Sequence, residues 1–264
     1  MIKNFFHEKI SLFLSLLILI NYLFLSLNFP TIFIKINFIF FLLTILLFYL
    51  YNLFENVYLK IFFLFLFIIS LGTPIFEWDP RSIWLFHAKR IFYDGSIYSV
   101  ADNYADFSHN EYPNLVPAFS ASLALLVGYW NEVLPKLSFL FMYLPPLILV
   151  YVLLKKEIYI IFLSIVFFII GKFLFNGWAD GLVAVYFSIS ALLMYLLFVN
   201  DEEEKNLLYY FLAFCFFTTL TLIKNEGIAL LSILFIVTLI IKILKGKLKK
   251  NLNKFIYLLF SFIP

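Results

Sequence analysis

Long runs of apolar residues, separated by short polar segments, make up most of this chain. Several runs contain about 20 residues, enough to cross roughly 30 Å of hydrocarbon as an α-helix. Continuous runs such as residues 10–25 lack the period-two alternation of a membrane β-strand. Because only helices or closed barrels satisfy the backbone in lipid, the pattern predicts an all-α, polytopic transmembrane helical bundle. The predicted spans are residues 10–28, 31–52, 58–76, 137–154, 158–175, 181–199, 207–223 and 227–244.

One apolar segment, residues 115–127, is too short to be a further full span. At about 1.5 Å per residue it reaches roughly 20 Å, which is less than the hydrocarbon thickness. If it enters and leaves on the same side, the lysines at the span ends all lie on the cytoplasmic side, as the positive-inside rule favours. These lysines are Lys3, Lys9, Lys60, Lys155, Lys156, Lys205 and the cluster from Lys242 to Lys254. The segment is therefore predicted to be a half-span, with a cytoplasmic N-terminus.

This topology brings four polar segments to the outer face of the membrane. They are residues 77–117, 129–136, 176–180 and 224–226. Ionisable residues at span ends are functional candidates, because placing them in lipid is costly. Solvated loop ends are the simple alternative, but Asp180 and Lys224 have flanking residues that are mostly apolar or small. The candidates are Asp79, Lys89, Arg90, His109, Glu111, Asn131, Glu132, Asn176, Asp180, Lys224, Asn225 and Glu226.

Composition agrees with a membrane protein. The 264 residues are 64% hydrophobic and 13% charged, with a mean hydropathy of +1.02, whereas soluble domains carry about 25% charged residues. The net charge of +3 comes from lysines at span ends, so it does not indicate a nucleic-acid partner. Cys215 lies in a span and is most simply a small buried residue. We predict one transmembrane domain over residues 1–264, with truncation at its C-terminus left open.

The outer loop of residues 77–117 has a pattern typical of an interfacial helix. Asp79 is a suitable N-cap, directly before a proline in the first turn. Apolar residues then recur at helical spacing until Gly95 ends the pattern. The helix is predicted to lie in the membrane interface, with Trp84 and Tyr93 among the lipid headgroups. Its recurring stripe contains Ile83, Trp84, His87, Arg90 and Ile91.

Short catalytic and metal-binding motifs give little guidance. His7, His87 and His109 form neither an HxH nor an HExxH pattern. The sequence also has no GxSxG, Walker or Rossmann motif. No cofactor is therefore required by the sequence, although a divalent metal is compatible with it. Taken alone, His109 is most simply a surface histidine, and Asp79 is a helix cap, a catalytic group or both.

Three short motifs nevertheless occur in order along the outer segments. They are His-Asn-Glu-Tyr-Pro at 109–113, Asn-Gly-Trp-Ala-Asp at 176–180 and Lys-Asn-Glu-Gly at 224–227. Together they resemble the outer turns of GT-C superfamily membrane glycosyltransferases, in particular the polyprenyl-phosphate-sugar enzymes of the protein mannosyltransferase and aminoarabinose transferase type. The resemblance covers about residues 75–230. Two additional spans precede the acidic loop, and the later spans and C-terminal domain of some members are missing, as in a fragment or an inactive relative.

The resemblance implies sugar transfer from a polyprenyl-phosphate donor to a glycan, lipid or protein acceptor, at the outer face of the bacterial inner membrane. Such a reaction needs a carboxylate for the acceptor hydroxyl, cations or a metal for the leaving phosphate, and a groove for the lipid tail. Asp79 is then the expected catalytic base, and Asp180 supports it or assists a metal. The expected phosphate-binding residues are Lys89, Arg90, Lys172 and Lys224. The other substrate-binding candidates are His109, Glu111, Tyr112 and Glu226.

Three other classes remain open. An O-antigen-type polymerase or ligase also has outer-loop chemistry, but usually in arginine-rich loops, whereas this chain has only Arg81 and Arg90. A transporter would show broken helices near the membrane centre and repeat symmetry. The span interiors here are expected to carry almost no polar residues, which disfavours transport. A non-catalytic membrane subunit is the simplest alternative.

Overall fold

The chain folds into a bundle of α-helices. The computed structural model describes residues 2–52, 57–75, 77–97, 108–154, 165–167, 169–171, 173–199, 207–245 and 252–262. Within these ranges there is no β-strand, and the predicted all-α polytopic bundle is confirmed. The helices are α1 Ile2–Ser26, α2 Thr31–Asn52, α3 Val57–Gly72, α4 Leu85–Asp94, α5 Leu115–Val127, α6 Leu137–Leu154, α7 Asp180–Met194, α8 Leu207–Ile223, α9 Asn225–Leu244 and α10 Leu252–Leu259. One π-helical turn, Pro80–Trp84, leads into α4, and another, Tyr195–Val199, extends α7.

The longest helices have the length and apolar character of membrane spans. In the part of the chain that is described, α1, α2, α9 and α7 with its extension are long and apolar enough to cross a bilayer. Helices α3, α5, α6 and α8 are apolar but shorter. Large apolar side chains cover the outside of the bundle, including Leu47, Ile61 and Ile236, each more than half exposed. Such a surface is suited to lipid rather than water, so the chain is a membrane protein.

Contacts between distant segments define one end of the bundle, here named the site end. Ser96, after α4, donates a hydrogen bond of 2.6 Å to Asn28, which follows α1. The amino group of Lys136, before α6, donates to the carbonyl of Thr73, which follows α3. The predicted outer segments 77–97 and 129–136 therefore lie at the same end as the α1–α2 connection.

The opposite end gathers the other helix termini. The ring of His7, near the start of α1, lies 5.5 Å from the ring of Phe48 in α2 and 5.8 Å from that of Tyr151 in α6. Lys245, after α9, donates to the carbonyl of Val199 at 3.0 Å. The start of α1 therefore lies at the same end as the last turns of α2 and α6.

The short helix α5 is enclosed by the bundle. Its residues 115–125 are buried. It starts three residues after Tyr112, whose ring centre lies 5.5 Å from the amino group of Lys224 at the start of α9. It ends shortly before Lys136, which contacts the segment after α3. Ala121 and Leu125 of α5 pack in one cluster with Leu25, Ile34 and Ile91, next to the α1–α2 connection. This helix therefore lies at the site end, and the half-span stays a prediction.

Polar side chains join the helices within the bundle. The Asn37 amide of α2 donates to the Leu17 carbonyl of α1 at 2.8 Å. The Ser122 hydroxyl of α5 donates to the Asn21 side chain of α1 at 2.7 Å. The expectation that span interiors carry almost no polar side chains is therefore wrong for α1. Such interhelical hydrogen bonds stabilise helix packing in an apolar environment.

Two consecutive prolines interrupt the hydrogen bonding of α6. Because proline has no N–H, the carbonyl four residues before it loses its helical donor. For Pro146 this carbonyl belongs to Met142, and the buried hydroxyl of Tyr186 in α7 donates to it at 2.9 Å. Ser11 of α1 donates to the Pro145 carbonyl at 2.7 Å. Neighbouring helices therefore supply hydrogen bonds where α6 is interrupted.

Removing the Tyr186 hydroxyl should destabilise the bundle. In Tyr186→Phe the buried carbonyl of Met142 has no donor, which should cost about 1–2 kcal/mol. Thermal unfolding in detergent measures this loss. Tyr195→Phe is the matched control, because Tyr195 follows on the same helical segment and is 53% exposed. Equal unfolding temperatures for wild type and Tyr186→Phe would contradict the proposed role of this hydrogen bond.

Candidate functional site

Three separate segments meet around the amino group of Lys224. Lys224 precedes α9 in an extended conformation, with φ −158° and ψ 151°. Its Nζ atom lies 2.9 Å from Oδ1 of Asp180 and 3.2 Å from Oε1 of Glu226. The same atom lies 5.5 Å from the centre of the Tyr112 ring. The three motifs singled out in the sequence therefore form one cluster at the site end.

Helix termini position the two carboxylates beside Lys224. Asp180 is the first residue of α7, and Glu226 lies in the first turn of α9. The positive ends of these helix dipoles favour acidic side chains. Burial lowers the pKa of Lys224, but the hydrogen bonds and charges of Asp180 and Glu226 outweigh burial and raise this pKa above its ordinary value. Lys224 is therefore a charged group held between two carboxylates, the two protein partners that its sequence position allowed beside a substrate phosphate.

Aromatic rings form a stack next to this ion-pair cluster. The Tyr112 ring is nearly parallel to that of His109, with centres 4.7 Å apart and planes at 8°. It is also nearly parallel to the Trp84 ring, at 5.6 Å and 15°. Trp84 is only 2% exposed. Its predicted position among lipid headgroups is therefore wrong, because it packs against Tyr112 in the protein, whereas Tyr93 is exposed as expected.

His109 and Glu111 make a second polar pair. Nδ1 of His109 lies 2.9 Å from Oε1 of Glu111. This hydrogen bond is the main cause of a lowered pKa of Glu111. The backbone of His109 is in the left-handed region, with φ 52°, which is uncommon for residues other than glycine. Asn225 donates to the Glu111 carbonyl at 3.3 Å and ties this turn to the start of α9.

The charged side chains of the cluster change the pKa of the Tyr112 hydroxyl. Burial raises the pKa of Tyr112 above its ordinary value, and the charge of Lys224 opposes this increase. The carboxylates of Glu226, Glu111 and Asp180 raise it further. Tyr112 is thus a neutral hydroxyl surrounded by one ammonium and three carboxylates, able to donate or accept a hydrogen bond.

Gly177 brings the Asp180 turn against the segment that carries Asp79. Its φ of +103° is unfavourable for other residues. A Cβ atom at this position would lie 2.8 Å from Cβ of Pro80, which directly follows Asp79. The segments of the two predicted catalytic carboxylates are therefore in contact.

The predicted helix-capping role of Asp79 is wrong. Its φ of −57° and ψ of −48° are helical, and its side chain makes no capping hydrogen bond. A cap needs an extended backbone, whereas the helical conformation here already includes Trp78. The nearby chain is held by Arg81, whose Nε donates to the Ile75 carbonyl at 3.0 Å. The partly exposed carboxylate of Asp79 is therefore not used for capping.

The helix after Asp79 matches its predicted pattern. All five residues of the predicted stripe are buried, and α4 ends at Gly95 with a left-handed φ of 69°. Arg90 is directed to the end of its own helix, since Nη2 donates to the Ile97 carbonyl at 2.6 Å and Nη1 lies 3.7 Å from Asp94. Lys89 is exposed on α4. The fourth predicted phosphate ligand, Lys172, lies outside the described residues.

Lys136 is a buried cation that the sequence analysis did not single out. Its side chain is 2% exposed and donates to the Thr73 carbonyl just beyond the C-terminus of α3. A cation is favoured there by the helix dipole. Burial lowers the pKa of Lys136. In the sequence it is indistinguishable from an ordinary lysine at a span end, so no signal pointed to burial.

These features define a polytopic all-α membrane protein with a cluster of charged and aromatic side chains at one end of its helix bundle. Comparisons with protein-family models, curated proteins and solved structures give no match to this chain. Among the described residues, no group of three or more His, Cys, Asp or Glu side chains is arranged to hold a metal ion. The groups that the site offers for chemistry are its carboxylates, ammonium group, hydroxyl and rings.

Proposed function

We propose that this chain is a GT-C-type glycosyltransferase, similar to the protein mannosyltransferases and aminoarabinose transferases. It moves a sugar from a polyprenyl-phosphate donor to a hydroxyl of a glycan, lipid or protein acceptor. The observation that supports this proposal is the meeting of three family-like turns at Lys224, with Asp180, Glu226 and Tyr112 around it. Motifs spread along the sequence would be expected to converge if they served one reaction.

The reaction assigns a role to each charged group. Asp79 accepts the proton as the acceptor oxygen bonds to the anomeric carbon of the donor sugar. The bond between that carbon and the phosphate oxygen breaks, and polyprenyl phosphate leaves with the electron pair. Lys224 stabilises the leaving phosphate by exchanging one carboxylate partner for a phosphate oxygen. Asp180 supports Asp79 through the contact between Gly177 and Pro80.

The proposed location is the bacterial inner membrane, with several passes, a cytoplasmic N-terminus and the site end outside. The lysines at the opposite end, including Lys245, support this orientation. The donor tail would occupy an apolar groove of about 450 Å³ between α2, α3 and α6. Leu46, Phe67 and Leu140 are among its lining residues. Leu140 is one helical turn from Lys136, so the groove extends close to the site end.

The experiment uses the full chain in membrane vesicles supplied with a polyprenyl-phosphate donor carrying a radiolabelled sugar. Wild type should transfer label to an acceptor in the membranes. Asp79→Asn should reduce transfer by about 100-fold or more, because an amide cannot accept the proton. Glu132→Gln is the matched control, since Glu132 is an exposed acid on another segment of the site end. Its transfer rate should equal that of wild type.

Other outcomes separate the rival classes. Transfer of a preassembled oligosaccharide, but not of a single sugar, would favour an O-antigen-type polymerase or ligase. Uptake of the sugar into vesicles without its transfer would favour a transporter. If wild type neither transfers the label nor consumes any tested donor, the enzyme proposal fails. Full activity in Asp79→Asn combined with loss in Asp180→Asn would instead make Asp180 the base.

A further inference from the structure

We infer that His109, Tyr112 and Trp84 form a binding platform for a neutral sugar ring, whose hydroxyl groups are held by the surrounding carboxylates. This inference rests on the proposed function and specifies how the sugar of the donor or the acceptor is recognised. The three rings are hereafter named the aromatic platform. Geometry, backbone conformation and charge each support it.

The geometry provides a layered, rigid surface. Tyr112 is nearly parallel to both partner rings, at 8° to His109 and 15° to Trp84. Trp84 is buried and fixes the base of the platform. The His109 side chain is 40% exposed and so presents part of its ring to solvent. The C–H face of a pyranose is apolar and flat enough to pack against an aromatic face.

The conformation of His109 shows that its ring is held in place. Its φ of 52° costs conformational free energy, and strained residues concentrate at ligand sites. The strain is compensated by three contacts, namely the stacking on Tyr112, the Nδ1 contact with Glu111 and the hydrogen bond from the Tyr112 N–H to the His109 carbonyl. The ring is therefore oriented before a ligand arrives.

The carboxylates around the platform are suited to the hydroxyl groups of a sugar. The carboxylates of Glu111, Asp180 and Glu226 are all more than half exposed. Lys224 is the ammonium that faces the last two, so carboxylates outnumber ammonium groups in this cluster. Carboxylate oxygens accept hydrogen bonds from sugar hydroxyls, while the ammonium group of Lys224 is the group in this cluster that can take a phosphate oxygen. A neutral polyol ring is therefore the ligand class that fits both the rings and the charges.

Binding is tested on the full chain in lipid nanodiscs, with methyl glycosides of common hexoses as probes and no donor lipid. Calorimetry or ligand-observed NMR gives the affinity without any turnover. His109→Ala should weaken binding by about 10-fold, because the exposed ring is lost. His109→Phe keeps a ring that can stack and should remain within about 3-fold of wild type. Tyr93→Ala removes an exposed aromatic ring at the same end and is the control.

The outcomes are distinct. The inference is overturned if no glycoside binds wild type, if His109→Ala binds as well as wild type, or if the Phe and Ala variants are equally weak. A rise in the donor KM alone in His109→Ala assigns the platform to the donor sugar, and a rise in the acceptor KM alone assigns it to the acceptor. Glycoside binding without any transfer would sustain the platform and refute the enzyme. Unaltered transfer kinetics in His109→Ala would refute the platform and sustain the enzyme.

Discussion

Gly227→Ala should be the most damaging single substitution at the site end. A Cβ atom at this position would overlap the carbonyl oxygen of Leu220 and lie 2.8 Å from its carbonyl carbon. These are backbone atoms of α8, so the clash cannot be relieved by rotating a side chain. The amide of Gly227 also donates to the Lys224 carbonyl at 2.8 Å, closing the turn that positions Lys224. We expect a loss of stability of about 3 kcal/mol, at the upper end for overpacking.

Thermal unfolding in detergent measures this loss, with Gly72→Ala as the matched control. Gly72 ends α3, and an added Cβ there would meet no atom within 4 Å. The control should unfold near the wild-type temperature. Equal stability of the two alanine variants would show that α8 and α9 separate easily, which would contradict the rigid turn described above.

Lys224→Met should remove most sugar transfer with a smaller effect on stability. Methionine keeps much of the length and apolar stem but not the charge, so the leaving phosphate loses its ammonium partner. A transition-state contact of this kind contributes about 100-fold in rate. Both carboxylate partners are more than half exposed, so the lost ion pairs should cost about 1 kcal/mol or less.

The test compares the transfer rate and unfolding temperature of Lys224→Met with those of Lys60→Met. Lys60 is a lysine on α3, away from the site end. Lys224 has a raised pKa, so its ion pairs stabilise the fold below the ordinary value of 10.5 and are lost as pH rises through the raised pKa. The stability difference between wild type and Lys224→Met should therefore be constant from about pH 6 to 9. If Lys224→Met transfers sugar at the wild-type rate but is much less stable, the ion pairs of Lys224 are purely structural.

Most of the helical architecture could be predicted from the sequence, because apolar runs in lipid have few alternatives to helices. The half-span prediction for residues 115–127 rests on its length and on the lysine distribution; the segment forms the buried helix α5, and its membrane position stays a prediction. The polar contacts of α1 were not predicted. A single polar residue such as Asn21 forms no periodic pattern, so the sequence does not show which neighbouring helix it contacts.

The site was predicted at the level of segments rather than contacts. The order of the motifs predicted that Tyr112, Asp180 and Lys224 belong to one site, and these residues do lie together. The pairing of Lys224 with Asp180 depends on how α7 and α9 pack, which no local pattern encodes, whereas Glu226 is only two residues from Lys224. Trp84 was placed in the headgroups because amphipathic spacing identifies a face but not the element that covers it.

The separation of these segments along the chain has a consequence for biosynthesis. A ribosome makes Trp84, Tyr112 and Asp180 well before Lys224, and membrane helices enter the bilayer in that order. Until Lys224 and α9 are made, the nascent protein has these rings and Asp180, but neither the ammonium group nor Glu226. The ion-pair cluster is therefore completed only when the start of α9 is in place.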